Sequence, residues 1–229
     1  MQTTRDFADK HVVVTGGAGA LGSAVVEHLV GRGAHCHVPR RKDRELEAPA
    51  GVSYTGGVEL SDEAAVAGFY KSLPPLWASI HVAGGFAMSP IGDTGLEQFE
   101  SMWKRNAVTC FLCMRFAIES MRKAGGGRIV NVASRPALVP TASMASYAAS
   151  KAAVVSMTAG IATEVVGDNI LINAVAPSLF DTPANRAAMP EADFDSWPKA
   201  SEIAAIIGHL ASVQNQLTTG ATVPVYGKV

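Results

Sequence analysis

His11-Val12-Val13-Val14-Thr15-Gly16-Gly17-Ala18-Gly19-Ala20-Leu21-Gly22 decides the architecture of this 229-residue chain. The run to Val14 is β-branched and continuously apolar, as a strand buried on both faces requires. It delivers the chain into a glycine-rich turn. From Leu21 the apolar positions Val25, Val26, Leu29 and Val30 follow helical spacing, and Gly31 and Gly33 close the pattern. Strand, loop and helix N-terminus together present backbone N–H groups and the positive end of a helix dipole, which suits an anion. Glycine lets the backbone approach a pyrophosphate without a Cβ in the way. A loop of this kind at the first strand–helix unit points to dinucleotide binding.

The alternation continues to the end of the chain. Strands are predicted at 34–38, 52–60, 78–83, 128–133, 170–176 and 221–226. Ser61 is expected to cap a helix with Asp62 and Glu63 in its first turn, stopped by Pro74-Pro75. A long helical pattern runs over 96–124 and ends at Gly125-Gly126-Gly127. Another helix carries Tyr147 and Lys151 and continues to Gly167. A last one, capped by Ser201, covers 202–210. The stretch 178–199, with Pro183, Pro190 and Pro198, reads as an aperiodic polar connection of the kind that forms a lid. Seven strands alternating with helices predict one doubly wound α/β domain over 1–229, a seven-stranded parallel sheet flanked by helices. Ligands bind at the carboxyl ends of such strands. Gly16, Gly84, Ser134 and Pro177 all fall at those ends.

The bulk composition removes several classes of function. A formal net charge of -1, with 17% charged residues, gives no electrostatic footprint for nucleic acid or an anionic membrane. No apolar run reaches the ~20 residues that span a bilayer, and the N-terminus has no leader pattern, so a cytoplasmic location is expected. Cys36, Cys110 and Cys113 are expected as reduced thiols, and no metal site is expected because no Cys/His set has ligand spacing.

Within this frame some residues carry chemistry. Tyr147 and Lys151 lie four apart on one helix face. A cation beside a phenol favours the phenolate and lowers a pKa that is ordinarily about 10, which produces a proton donor or acceptor for carbonyl chemistry. Taken alone, this spacing is common by chance. After the second strand stands Pro39-Arg40-Arg41-Lys42, with no carboxylate for a ribose 2′-hydroxyl. Arg40 there suits the 2′-phosphate of NADP, although Asp43 and Glu45 could compete, and a solvated basic loop gives the same pattern. Asn106 is a poor mid-helix residue and marks either a bend or a function. Phe86, Met88, Phe194 and Trp197 could line a pocket or pack internally.

Together these residues resemble the short-chain dehydrogenase/reductase family, over essentially the whole chain. Thr15-Gly16-x-x-x-Ala20-x-Gly22 is similar to the family's cofactor turn. Asn106, Ser134, Tyr147 and Lys151 match its catalytic tetrad, with Ser134 thirteen residues before Tyr147. Asn173-Ala174-Val175-Ala176-Pro177, then Asp181-Thr182-Pro183, matches the segment along the nicotinamide. The resemblance implies a Rossmann-type fold and hydride transfer between a nicotinamide and a small carbonyl or alcohol. Tyr147 would be the acid or base, Lys151 would lower its pKa and hold the nicotinamide ribose, Ser134 would orient the carbonyl oxygen, and Asn106 would help hold a relay water. Gly16, Gly17, Ala18, Ala20, Leu21, Arg40, Glu59, Leu60, Ala83, Gly84, Tyr147, Lys151, Pro177 and Thr182 would contact the cofactor. NADP(H) is preferred on this reading, with NAD(H) possible, and a homodimer or homotetramer is implied.

Three positions depart from the family pattern. Val82-Ala83-Gly84 stands for Asn-Ala-Gly, Ser178 replaces a glycine, and Glu59 replaces an aspartate. The Val82-Ala83-Gly84-Gly85 sequence and the 181–197 segment also resemble dihydropteridine reductases, which reduce a pterin. Those enzymes lack the catalytic serine and carry an aspartate where Pro39-Arg40 stands. A dinucleotide-binding sensor without chemistry is the alternative from another class; such proteins usually lose the tyrosine or lysine, and this chain keeps both.

Overall fold

The computed structural model describes residues 5–42 and 47–228; Asp43 and Glu45 lie outside them. Seven parallel strands form one sheet in the order β3-β2-β1-β4-β5-β6-β7. They are β1 His11–Thr15, β2 His35–Pro39, β3 Val52–Thr55, β4 Ala78–His81, β5 Gly127–Val132, β6 Ile170–Pro177 and β7 Thr222–Val225. The helices are α1 Ala20–Gly31, α2 Glu63–Lys71, α3 Leu96–Trp103, α4 Thr109–Ala124, α5 Ala145–Val165, α6 Pro183–Ala188 and α7 Ala200–Ala211. β5 and β6 are buried at every position. One face carries Val12 and Val14 against Leu21, Val25 and Leu29 of α1 and Ile203 and Ile207 of α7. The opposite face sets Val13, Ile129 and Ile172 against α2, α4 and α5. This is the predicted doubly wound sheet.

Five local expectations are corrected. The third strand ends at Thr55, because Gly57 turns at φ +71° and the N–H of Val58 goes to the carbonyl of Arg40. The α2 cap is Asp62, whose carboxylate accepts from the N–H of Ala65 at 2.8 Å. The final helix starts at Ala200, and Ser201 lies within it. Glu202 reaches back to the N–H of Lys199 at 2.7 Å and fixes that start. The 178–199 stretch is also structured. Thr182 caps the proline-initiated α6 by accepting from the N–H of Asn185, Phe194–Ser196 forms a 3₁₀ turn, and Trp197 is buried. The long 96–124 pattern is interrupted where Lys104–Val108 widens into a π turn around Asn106.

A buried polar chain crosses the face beneath α4 and α5. The Thr158 hydroxyl donates to the carbonyl of Val154, so it accepts from Asn131 Nδ2 at 2.8 Å. Asn131 Oδ1 therefore faces His81 Nδ1 at 2.8 Å, and that nitrogen carries the proton. His81 Nε2 accepts from Ser79 at 2.8 Å, and Ser79 accepts from Tyr70 at 2.9 Å. The network requires a neutral imidazole. Burial pushes His81 down to about 4, with the Asn131 bond opposing. Between pH 6.5 and about 4 the unfolded chain binds this proton and the folded chain does not. Stability is therefore expected to fall as pH drops through that window, by on the order of 3 kcal/mol for His81. Urea unfolding between pH 7 and pH 5 checks this. His81→Gln is expected to flatten the slope, and an unchanged slope would remove His81 as its source.

Candidate active site

All the strand ends implicated by the sequence open on one edge, and three adjoining spaces lie along it. The first, of about 510 Å³, is lined by Gly16, Pro39, Arg41, Glu59, Leu60, Ala83, Gly84, Lys104 and Arg105, among others. The second, of about 380 Å³, shares Gly84 and Arg105 with the first, and adds Leu21, Val82, Ser134, Tyr147, Lys151 and Pro177. The third, of about 620 Å³, shares Phe86, Ser134, Tyr147, Ser178 and Phe180 with the second. The series runs from the end of β2 across β1 and β4 to the wall holding Ser134 and Tyr147.

The glycine loop closes tightly on itself and on its neighbours. Gly16 has φ +68°, and a Cβ there would lie 2.8 Å from the backbone nitrogen of Ala83. A Cβ on Gly22 would come within 2.0 Å of the carbonyl oxygen of Gly16. Gly17 packs on Val38, while Ala18 and Ala20 are exposed at the loop mouth. No side chain caps the N-terminus of α1, so its first-turn N–H groups remain available to an anion. The loop, the groove and the adjoining pocket fit an extended dinucleotide. Loop backbone would hold its phosphates, and Lys151 and Pro177 would border its nicotinamide end.

Tyr147 lies in the first turn of α5 and packs edge-on against Phe86 at 5.0 Å. Burial raises its pKa, and the neighbouring Ser134 opposes that rise. Lys151, one turn on, is buried and donates to the carbonyl of Val132 at 2.8 Å. Burial pushes its ammonium down to about 8, with Cys110 opposing. The neighbour that pulls the phenol down is Ser134, while the ammonium is engaged by Val132.

The Asn106 side chain is held by protein groups. Its Oδ1 accepts from the N–H of Gly85 at 2.9 Å. Its Nδ2 donates to the carbonyl of Gly85 and to Ser150, both at 3.0 Å. The amide clamps the segment after β4, and the π turn aims it there.

Other expected cofactor residues fall at different distances from the groove. Leu21, Glu59, Leu60, Ala83, Gly84 and Pro177 line it. Glu59 is held by the hydroxyl and N–H of Ser61, which keep its carboxyl below the usual range. Arg40 sits over the Tyr54 ring at 5.3 Å; the guanidinium groups that line the groove are those of Arg41 and Arg105, with Lys104 beside them. Thr182 serves as a helix cap rather than a groove residue. Of the four doubtful apolar residues, Phe86 borders two of the spaces, whereas Phe194 and Trp197 pack on each other. Arg105 was missed as a lining residue, although it immediately precedes Asn106.

A family model described as short chain dehydrogenase matches residues 10–193. The chain belongs to the short-chain dehydrogenase family. It is an oxidoreductase of that family, whose enzymes use NAD(P) and act on small molecules. Dehydrogenase/reductase SDR family member 4 of Oryctolagus cuniculus is 27% identical over 248 residues, covering 98% of this chain and 95% of that protein. The NAD(+)-dependent 2-dehydro-3-deoxy-L-rhamnonate dehydrogenase of Sphingomonas sp. (strain SKA58) is 26% identical over 233 residues, covering 94% and 93%. The solved structure of ElxO with NADP bound superposes with a TM-score of 0.85 at 23% identity, over 95% of this chain and 97% of that one. No helix among the described residues is long and apolar enough to cross a membrane.

The Asn106 clamp makes its own prediction for this dehydrogenase. Asn106→Ala leaves the Gly85 N–H and carbonyl without their partner, and is expected to lower stability by about 1–3 kcal/mol while weakening dinucleotide binding. Denaturant titration and cofactor titration measure the two effects. An unchanged unfolding midpoint would show that the amide does not hold this segment.

Proposed function

We propose that this short-chain dehydrogenase is an NADP(H)-preferring oxidoreductase that reduces a small carbonyl compound, or oxidises the matching alcohol, with Tyr147 as the general acid or base. The observation that carries the reading is that Ser134 and Tyr147 share one wall of a pocket that joins the dinucleotide groove. A nicotinamide bound there supplies or accepts the hydride. Tyr147 gives its proton to the oxygen of the carbonyl, and Ser134 orients that oxygen. A phenol with a raised pKa is protonated at neutral pH, which is the form required for reduction. Lys151 keeps a positive charge beside the reacting centre below about pH 8.

Preference for NADP(H) is supported by the cations at the groove's far end. Arg41 and Lys104 border it together, and among the described residues its one lining carboxylate is that of Glu59. Both help to depress the Glu59 pKa, so their charge reaches the groove. A ribose 2′-phosphate would meet Arg41 in this arrangement. Homo-oligomerisation and a cytoplasmic location complete the proposal.

Two experiments test it. Tyr147→Phe is expected to lower kcat about 10²–10⁴-fold on a panel of ketones while cofactor affinity stays near wild type; turnover at the wild-type rate would remove Tyr147 as proton donor. Arg41→Ala is expected to weaken NADPH by tenfold or more, on the order of 1.5–3 kcal/mol for a charged hydrogen bond, and to affect NADH little. A larger loss in Arg40→Ala than in Arg41→Ala would return the 2′-phosphate role to Arg40.

A further inference from the structure

We infer that Arg135 recognises a carboxylate on the substrate, so that the pocket takes a carbonyl compound with an apolar body and one anionic end. This deepens the carbonyl reading above and rests on it.

The third space is walled mainly by apolar side chains, Phe86, Val139, Met144, Leu179 and Phe180 among them. Among the described residues, Arg135 is its one charged lining residue, and no Asp or Glu borders it. The guanidinium is half-buried and lies over the Tyr226 ring at 5.2 Å. That ring belongs to a segment tied down by Ser178, whose hydroxyl donates to the Tyr226 carbonyl at 2.9 Å. The backbone is fixed too, because Arg135–Ala137 forms a 3₁₀ turn with Pro136 inside it. The cation is therefore held in place before any ligand arrives.

What it lacks is a counter-charge. Arg32, Arg115, Arg122 and Arg186 each pair with a carboxylate. Among the described residues none pairs with Arg135. A cation on an apolar wall is poorly solvated, and an unpaired guanidinium presents a planar donor fork that matches one carboxylate. A phosphate dianion would call for more than one cation or a nest of N–H groups, and no second cation lines this space. Position also favours a substrate role. Arg135 directly follows Ser134, which lines the same space as Tyr147, and adjacent Cα atoms are about 3.8 Å apart. One small molecule can reach both the proton donor and the fork.

The test is binding to the NADP⁺-loaded enzyme, so it requires no turnover. Calorimetry compares phenylacetate, 3-phenylpropanoate and 4-phenylbutanoate with the corresponding amides. The wild type is expected to bind at least one acid tenfold or more tighter than its amide. In Arg135→Gln that ratio is expected to collapse to near one, and in Arg135→Lys, which keeps the charge but loses the fork, to fall between the two. Thermal unfolding of each variant verifies that the fold is kept. Equal affinity for acid and amide in the wild type, an unchanged ratio in Arg135→Gln, or binding of none of the acids would overturn the inference. Because these probes carry no reducible group, such a failure is distinct from failure of the carbonyl chemistry, which Tyr147→Phe turnover reports.

Discussion

Parallel strands buried on both faces constrain everything else in this molecule. A parallel sheet must be covered on each side by the helices that connect its strands. All strands then point the same way, and their carboxyl ends share one edge. The glycine loop after β1, the segment after β4, Ser134 after β5 and Pro177 at the end of β6 are brought together there. They are far apart in the chain, and no local interaction joins them. The order β3-β2-β1-β4-β5-β6-β7 puts the reversal of winding between β1 and β4, where the glycine loop meets Ala83 and Gly84.

Burial on both faces also sets the electrostatics of the site. Lys151 reaches its position only by leaving water, so its ammonium is weakened as an acid–base partner while it takes the Val132 carbonyl as a ligand. Tyr147 experiences the opposite sign of the same effect, because burial favours the neutral phenol. The two shifts bring the pKa values of the pair toward each other from an ordinary separation and then past it. The buried His81 chain is a second product of the same low-dielectric face: burial keeps the imidazole neutral, and its two nitrogens are both hydrogen-bonded.

The clamp formed by Asn106 links helix geometry to cofactor geometry. A regular helix over 96–124 would have carried the amide around its axis without regard to Gly85. The π turn at Lys104–Val108 adds the residue that redirects it. Arg105 and Lys104 are exposed by the same turn and border the groove. One irregular turn therefore positions a backbone clamp and two groove cations.

Much of this was legible beforehand, and the reasons can be traced to particular residues. The β-branched run at Val12–Val14 and the glycines that follow it declare a strand and a phosphate-type loop, because those preferences are local and steric. Ser134, Tyr147 and Lys151 were singled out by the family resemblance, and the structure gathers all three around one space. The choice between Arg40 and Arg41 was not, since neighbouring residues leave a strand on opposite sides and the turn beyond it decides which side meets the groove. The structured 178–199 segment was hidden because its order comes from Thr182, Trp197 and the Asp181–Lys199 bridge rather than from periodicity. The depressed Lys151, the clamped Asn106 and the unpaired Arg135 likewise depend on what surrounds each side chain in space. By itself, the sequence determined the alternating elements and the glycine loop, which follow from local steric and spacing rules. Only the tertiary structure decided which charges face the ligand spaces and which are spent internally, because charge and hydrogen-bond partnerships form across strands and helices that are distant in the chain.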